Sequence, residues 1–385
     1  MKKASFLRLE VFYFLMMWAS NFAHPVTPAF FNSLGFSSSM FGISFAAMSV
    51  TYFLFSPLWG RLADRRGAVP MMALSLAGYG VAQWLFGLIT TPAALVLVRL
   101  LAGAFTCGYQ VIAMAYCGNL GDERTRPRLL SIHGAVMAAA AALGYLTGGF
   151  IGVVSIAWVF RLQALVLAAL GAGVMLLLGE PPESRPAEPL PADTAAPKAA
   201  WTLPFALMLL GVMLASFGTT GYENAFNYYI TDILAFPTSY NGLIKALTGL
   251  TGFAANMLLQ LYLARGRDGR RTLIGVLWIN VGLLALSLFM PGSGPFIAAN
   301  VVFTAFNAMV LPLQQAMAAR GQAGRMGRAS GLFNAARSLG MVGGSLFAGF
   351  IYAVHPRLPF FCAAVVFAAA GIVAYCQHAA ARRHG

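Results

Sequence analysis

Long apolar segments recur along the whole sequence and limit what the chain can fold into. Twelve such segments are separated by less apolar stretches, most of them short, and each is long enough to cross about 30 Å of hydrocarbon as a helix. Only 9% of the 385 residues are charged, whereas a soluble domain carries roughly 25%. The sequence therefore predicts an all-α integral membrane protein. The predicted spans are Leu9–Phe31, Met40–Leu58, Pro70–Ile89, Pro92–Gly118, Leu130–Val154, Trp158–Leu178, Leu203–Ile233, Ser239–Ala264, Thr272–Met290, Pro295–Ala319, Ala329–Val354 and Leu358–Cys376.

The charged residues between the spans predict how the chain is oriented. The formal net charge is +14, which taken alone would suggest a nucleic-acid partner. Most of the basic residues, however, fall in alternate loops, beginning with Lys2, Lys3 and Arg8 before the first span and Arg65 and Arg66 after the second. A one-sided excess of this kind marks the cytoplasmic side. We therefore expect both termini in the cytoplasm, a bacterial-type inner membrane as the location, and no nucleic-acid partner.

The four cysteines indicate neither a disulfide framework nor a metal centre. Cys107, Cys117, Cys362 and Cys376 all lie within or at the ends of apolar spans, and their spacing matches no metal-binding motif. We expect them to be packing residues, and the sequence predicts no metal and no other cofactor.

One polar segment divides the chain into two similar halves. Residues 180–200 are rich in proline and acidic residues, a composition that predicts a flexible cytoplasmic linker. The predicted units are residues 1–179, the linker 180–200, and residues 201–385. Leu143-Gly144 followed by Gly148-Gly149 in the fifth span resembles Leu339-Gly340 followed by Gly343-Gly344 in the eleventh, one residue closer together. Such repeats are typical of transporters built from two bundles around a central site.

The loop after the second span carries the most informative motif. Gly60 to Gly67 reads Gly-Arg-Leu-Ala-Asp-Arg-Arg-Gly, which resembles the signature Gly-x-Leu-x-Asp-Arg-x-Gly-Arg of the major facilitator superfamily, with Ala68 in place of the last basic residue. The likeness extends over nearly the whole chain and is nearest to bacterial drug:proton antiporters. It implies a fold of two pseudo-symmetric six-helix bundles and a monomer.

The same resemblance implies a gating role for this loop. In the family, the loop aspartate is thought to latch the two bundles in the outward-facing state, and here Asp64 would bind near the start of the eleventh span. The alternative is a solvated basic loop with an incidental aspartate. The gating residues expected from the resemblance are Gly60, Asp64, Arg65, Gly67, Arg328 and Arg337.

Two further stretches resemble family patterns. Arg99 and Gly103 in the fourth span match Arg-x-x-x-Gly. An arginine in hydrocarbon costs about 2.5–3.5 kcal/mol on insertion scales, so Arg99 is either functional or a structural donor to a neighbouring helix. Gly144 to Gly149 resembles the exporter pattern Gly-Pro-x-x-Gly-Gly, but Tyr145 stands in place of the proline, which weakens the case for export.

Few ionisable residues fall well inside the predicted spans. Glu223 is the only such acid and Lys245 the only such lysine, and at 1.5 Å per residue they lie at similar depth. We predict a Glu223–Lys245 ion pair, which is either opened by a coupling proton or a permanent link between the seventh and eighth spans. His24 either shares the proton or is structural. The predicted proton-coupling residues are Glu223, Lys245, His24 and Arg99.

The substrate pocket is expected between the two bundles near the membrane midplane. The family resemblance implies a lining from the first, fourth, seventh and tenth spans. The predicted substrate-binding residues are Asn21, His24, Arg99, Thr106, Gln110, Tyr222, Glu223, Phe226, Asn227, Ile230, Asn307 and Gln314.

Three kinds of function are compatible with these features. The first is proton-coupled efflux of small amphipathic organic compounds, and the second is proton-coupled uptake of a polar or anionic metabolite. Lipid flipping is a weaker third hypothesis. An enzyme is not expected, because no catalytic metal, nucleophile or nucleotide-binding motif occurs in or near the spans.

Overall fold

The computed structural model describes residues 2–121, 125–181, 203–264, 268–319 and 326–383. These residues form a bundle of α-helices joined by short turns, as the sequence predicts. In chain order the helices are α1 (Lys2–Ser20), α2 (Thr27–Ser33), α3 (Ser38–Arg66), α4 (Ala68–Phe86), α5 (Pro92–Leu120), α6 (Arg126–Val154), α7 (Ile156–Leu177), α8 (Leu203–Asp232), α9 (Thr238–Ala264), α10 (Gly269–Phe289), α11 (Ser293–Asn307), α12 (Val310–Ala319), α13 (Met326–Val354) and α14 (Leu358–Arg383).

Two of the predicted spans are broken helices. Among the described residues, 11 helical segments are long and apolar enough to cross a membrane, one fewer than predicted. The missing one is the predicted span Leu9–Phe31, which the structure divides into α1 and the short α2. The tenth predicted span is interrupted between α11 and α12, although Ser293–Ala318 still qualifies as one segment.

The break in the first span has a local cause. The Asn21 side-chain amide donates a hydrogen bond to the Met17 carbonyl at 2.6 Å, which competes with helical pairing of the backbone. Pro25 and Pro28 follow, and neither has a backbone N–H. Without an N–H on Pro28, the His24 carbonyl loses its helical partner four residues ahead. The backbone carbonyls at the break are therefore free to accept hydrogen bonds from other helices.

The glycine repeats occupy equivalent positions in the two halves. Gly144 of α6 contacts α1 and Gly148 contacts the break that follows α1, and Gly340 and Gly344 of α13 contact α8 in the same way. A Cβ atom at any of these positions would collide with a backbone carbonyl, so glycine is required for the close approach. The carbonyls belong, in the same order, to Trp18, Phe22, Met213 and Phe217. Gly148 therefore corresponds to Gly344, and the one-residue offset in the predicted alignment is wrong.

The two halves meet through two pairs of helices. Helix α3 packs against α13, and α6 packs against α9. We call the end of the molecule at which α3 ends, with Arg65 and Arg66, the basic face, and the opposite end the far face. Glycines bring the backbones into contact near the far face, where Gly42 meets Gly349 and Gly149 meets Gly242. Residues 182–202 lie outside the described residues, so most of the predicted linker is not described.

Hydrogen bonds between the halves also gather at the far face. Asn227 donates to the His24 carbonyl at 3.2 Å, and Asn241 donates to the Pro25 carbonyl at 2.9 Å. The Thr238 hydroxyl donates to the Gly149 carbonyl at 2.9 Å. The break between α1 and α2 thus supplies acceptors for two asparagines of the other half. These bonds and the glycine contacts close the molecule at the far face.

Candidate functional site

A cavity of about 700 Å³ lies between the two halves. Its inner end is lined by His24, Tyr145, Glu223 and Lys245. It extends along the parts of α6, α9 and α12 nearer the basic face, where Asn256 is among its lining residues. Because the halves are closed at the far face and separated along this cavity, the structure has the geometry of a transporter open toward the basic face.

Glu223 is the acidic residue among the described residues that line the cavity. Its side chain is exposed rather than buried among neighbouring helices, and it lines both the larger cavity and a second one of about 240 Å³. Asn307, Gln314 and Arg337 also line the second cavity. Glu223 therefore stands where the two cavities adjoin, within reach of water and of any molecule that enters either one.

The predicted Glu223–Lys245 ion pair is not present. Both side chains line the larger cavity, but the ion pairs formed among the described residues do not include them. The prediction assumed that consecutive spans are neighbours, whereas α9 packs mainly against α6 of the other half and only slightly against α8. The Lys245 ammonium instead lies 5.5 Å from the centre of the Tyr145 ring, close enough for a cation–π contact between the halves.

Tyr145 and His24 belong to the same wall of the cavity. Their rings meet edge to face with centroids 5.7 Å apart, and the His24 ring lies 5.9 Å from that of Phe45. Tyr145 thus occupies the position at which the exporter pattern has proline and places an aromatic ring between His24 and Lys245. His24 has the cavity position that was predicted for it.

The other predicted substrate residues divide into two groups. Tyr222, Phe226 and Asn227 line the larger cavity, and Asn307 and Gln314 line the smaller one. The remaining five are buried or partly buried in the helix bundle and do not line either cavity. They are Asn21, Arg99, Thr106, Gln110 and Ile230.

Arg99 has partners that account for its position without a substrate. Its Nε donates to the Ser44 hydroxyl at 2.8 Å, and its guanidinium carbon lies 3.8 Å from the centre of the Phe86 ring. Only 5% of the residue is exposed. In this conformation the structure supports the structural alternative for Arg99, which links α3 to α5.

The signature loop lies at the basic face, but the predicted latch is not formed with Arg337. Asp64 is exposed and has no ion pair among the described residues, because Arg337 lines the smaller cavity instead. The side chain of Arg328 lies outside the described residues. The family's latch belongs to the outward-facing state, and here the halves are closed at the opposite end. The latch therefore stays a prediction for the other conformation.

The turn after α3 is held by a residue that the motif does not contain. Gly67 has φ +94°, a left-handed conformation that favours glycine. The Glu180 carboxylate accepts hydrogen bonds from the backbone N–H groups of Ala68 and Val69, at 2.9 and 3.1 Å, at the start of α4. A Cβ on residue 67 would also collide with this carboxylate. Gly60 and the exposed Arg65 make no comparable contact among the described residues.

Two cavity residues were missed by the sequence analysis or given another role. Arg337 was assigned to the gate, and Asn256 is not among the predicted site residues, yet both line a cavity. Helical spacing from Glu223 could not reveal them, because each lies on a different helix. The signal available in the sequence was only that each is a polar residue inside an apolar span.

Comparison with known proteins identifies the family. The sequence matches the model of the Major Facilitator Superfamily over residues 9–343. "Multidrug resistance protein 1" of Bacillus subtilis (strain 168) is 24% identical over 358 residues, which cover 89% of this chain and 88% of the relative. "Quinolone resistance protein NorA" of Staphylococcus aureus is 25% identical over 374 residues, which cover 94% and 92%.

Solved structures show the same fold. A bacterial homologue of the human lysosomal transporter Spinster, in an inward-facing and unoccupied conformation, aligns with a TM-score of 0.77 at 14% identity over 98% of this chain and 97% of its own. A D-xylose–proton symporter aligns with a TM-score of 0.73 at 16% identity over 97% and 98%. Sequence match, helical architecture and central cavity agree. The chain belongs to the Major Facilitator Superfamily and is a membrane transporter, not an enzyme.

Proposed function

We propose that this protein exports small amphipathic organic compounds in exchange for protons. The observation that carries the proposal is the position of Glu223, an exposed carboxylate where two cavities adjoin between the halves. A carboxylate within a span is a default candidate for proton handling. Because Glu223 faces the space that a substrate would occupy, proton and substrate compete for the same site, which is the requirement for exchange.

The surroundings of Glu223 suit an amphipathic ligand. Tyr222, Phe226 and Tyr145 supply aromatic surface, and Asn227 supplies a hydrogen-bonding amide. The relatives named above as multidrug and quinolone resistance proteins support export of such compounds. By the positive-inside rule the basic face is cytoplasmic, so the structure corresponds to the conformation that collects substrate from the cytoplasm, with both termini on that side of a bacterial inner membrane.

Asp64 is proposed to act in the opposite conformation. When the halves close at the basic face, the end of α3 approaches the start of α13, and Asp64 then has basic residues of that helix within reach. Gly67 and Glu180 hold the adjoining turn in place. On this view the loop stabilises the state that releases substrate and leaves the substrate site unchanged.

Transport in proteoliposomes under an imposed pH gradient tests the proposal. We expect the wild type to move a fluorescent amphipathic dye against its gradient, and Glu223→Gln to lose this uphill movement while still exchanging dye at equilibrium. Asp232→Asn is the matched control, because Asp232 ends the same helix, is exposed and accepts a hydrogen bond from Tyr352. Uphill transport by Glu223→Gln at the wild-type rate would refute the coupling role.

A second candidate is proton-coupled uptake of an anionic metabolite. It is favoured by the charge of the cavity linings, where Lys245 and Arg337 stand against the single carboxylate of Glu223 among the described residues. The direction of flux separates the two functions. Export predicts that substrate accumulates in inside-out vesicles, and uptake predicts that it accumulates in right-side-out vesicles, each under a pH gradient that drives the transport.

A further inference from the structure

Glu10, Cys117 and His133 form a buried cluster that the proposed transport cycle does not use. They come from α1, α5 and α6, and one ligand atom from each lies within 4.8 Å of the other two. Their exposed fractions are 6%, 0% and 5%. The Glu10 Oε1 and His133 Nδ1 atoms are 2.9 Å apart, and the Tyr13 ring stacks on the imidazole with centroids 3.8 Å apart. None of these residues lines either cavity.

The cluster has donor atoms to spare. Glu10 Oε2 and His133 Nε2 are buried and have no hydrogen-bond partner among the described residues. An unsatisfied buried polar atom is destabilising, and proteins usually satisfy such atoms with an ordered water or an ion. Glu10 and His133 therefore have capacity for a further ligand.

The three donors match the chemistry of one class of ligand. Thiolate sulfur, imidazole nitrogen and carboxylate oxygen are the zinc ligands of proteins, at about 2.0–2.3 Å from the metal. Two such ligands of a tetrahedral ion are separated by about 3.2–3.8 Å, so side-chain shifts of about 1 Å convert the observed cluster into a binding site. We propose that Glu10, Cys117 and His133 bind a divalent zinc-type ion, with water as the fourth ligand.

Metal binding at this site is coupled to proton release. Zinc binds cysteine as the thiolate and histidine through a ring nitrogen without a proton. Any proton that these ligand atoms carry in the absence of metal must leave when the ion binds.

The position of the site gives the ion a structural effect on the cavity. Cys117 lies three residues before the end of α5, and His133 lies two turns into α6, so the site is near the basic face. His133 precedes Gly134, which lines the larger cavity. An ion that ties α1, α5 and α6 together would stiffen this wall. The three ligands lie on three spans, so motif spacing in the sequence could not reveal them, and Cys117 was expected only to fill space.

Cobalt binding to the purified protein tests the proposal. We expect chelator-treated wild-type protein to bind one Co²⁺ per chain, with a thiolate-to-cobalt band in the near ultraviolet, and Zn²⁺ to displace it. Binding in weak buffer near pH 7 should release protons, because the cysteine binds as the thiolate. These measurements use the wild type, so they decide the question even where a variant fails to fold.

Variants assign the ligands. Cys117→Ser and His133→Gln should lose the band, and Cys107→Ser should keep it. Cys107 is the matched control because it is also fully buried in α5, and its thiol donates to the Ala104 carbonyl instead. The proposal is overturned by wild-type protein that shows no thiolate band, or by a band that persists in Cys117→Ser. Either result would show that hydrogen bonds alone hold the cluster together.

Discussion

Glu223 and Glu10 are the two carboxylates placed inside the helical bundle of the described chain, and their surroundings differ. Glu223 is exposed to the cavities and has no ion pair among the described residues. Glu10 is buried, and its carboxylate lies 2.9 Å from the His133 ring nitrogen. A carboxylate facing water can change its protonation and its ligand without disturbing the packing, whereas one with a fixed partner holds helices together. Glu223 therefore suits a role in transport, and Glu10 suits a role in holding helices together.

The largest expected effect is on stability, at Glu10. Glu10→Gln removes the carboxylate from a buried hydrogen bond with His133, and leaving a buried polar group without its partner costs about 1–3 kcal/mol. We expect a clear drop in the thermal unfolding temperature of the protein in detergent, and partial recovery in the double variant Glu10→Gln/His133→Gln, whose two amides can bond to each other. An unchanged unfolding temperature in Glu10→Gln would show that Glu10 does not stabilise the fold.

A smaller effect is expected on substrate affinity at Lys245. Lys245→Gln removes a cation from the cavity wall that also holds Glu223. We expect the KM for substrates bearing a carboxylate to rise about tenfold, equivalent to about 1.4 kcal/mol, and the unfolding temperature to change little. Lys245→Arg keeps the charge and is the control. Equal loss of affinity for cationic and anionic substrates would show that Lys245 does not select by charge.

A few-fold effect is expected at the far face, from Asn241. Asn241→Leu removes the hydrogen bond to the Pro25 carbonyl, and a bond between membrane helices is worth about 0.6 kcal/mol, or roughly a threefold shift toward opening. Distances between spin labels on α2 and α9 should report a larger open population. The surroundings of Glu223 should become more accessible from the far side, and those of Glu10 should not. Identical distance distributions in variant and wild type would contradict this.

The smallest expected effect is on the stability of Glu223→Gln. An exposed side chain without an ion pair contributes little, so the free energy of unfolding should change by no more than about 0.5 kcal/mol. Measuring the free energies of unfolding of Glu223→Gln and Glu10→Gln in the same detergent compares the two carboxylates directly. A loss of several kcal/mol at Glu223 would show that both carboxylates are structural.

The fold could be predicted from sequence because it depends on simple quantities. The lengths of the apolar segments and the octet at Gly60 to Gly67 were sufficient for an all-α transporter of this family. The break at Asn21 to Val26 was not predicted, although Pro25 and Pro28 favour an interrupted helix there. Its carbonyls are stable there only because Asn227 and Asn241 reach them from the other half, and a tertiary contact of this kind leaves no local signal.

The site was predicted in part. Glu223, His24 and the aromatic residues of α8 could be found because polar groups inside apolar spans are rare. The prediction of a Glu223–Lys245 ion pair was wrong. Similar depth in the membrane does not show which helices are neighbours, and α9 packs mainly on α6. Glu10 was overlooked because it lies near the end of a predicted span, where an acid is ordinary. What sets Glu10 apart is its contact with His133 of another helix, which only the structure shows.

The interrupted first span bears on how easily the protein changes conformation. The asparagines from the other half bond to main-chain oxygens of residues 24 and 25, not to side chains. When the far face opens, these oxygens turn toward a water-filled vestibule, and water takes over as donor. Opening is then an exchange of one hydrogen-bond partner for another, with little enthalpy at stake. The seal therefore depends on the path of the backbone, which Asn21 and the two prolines set.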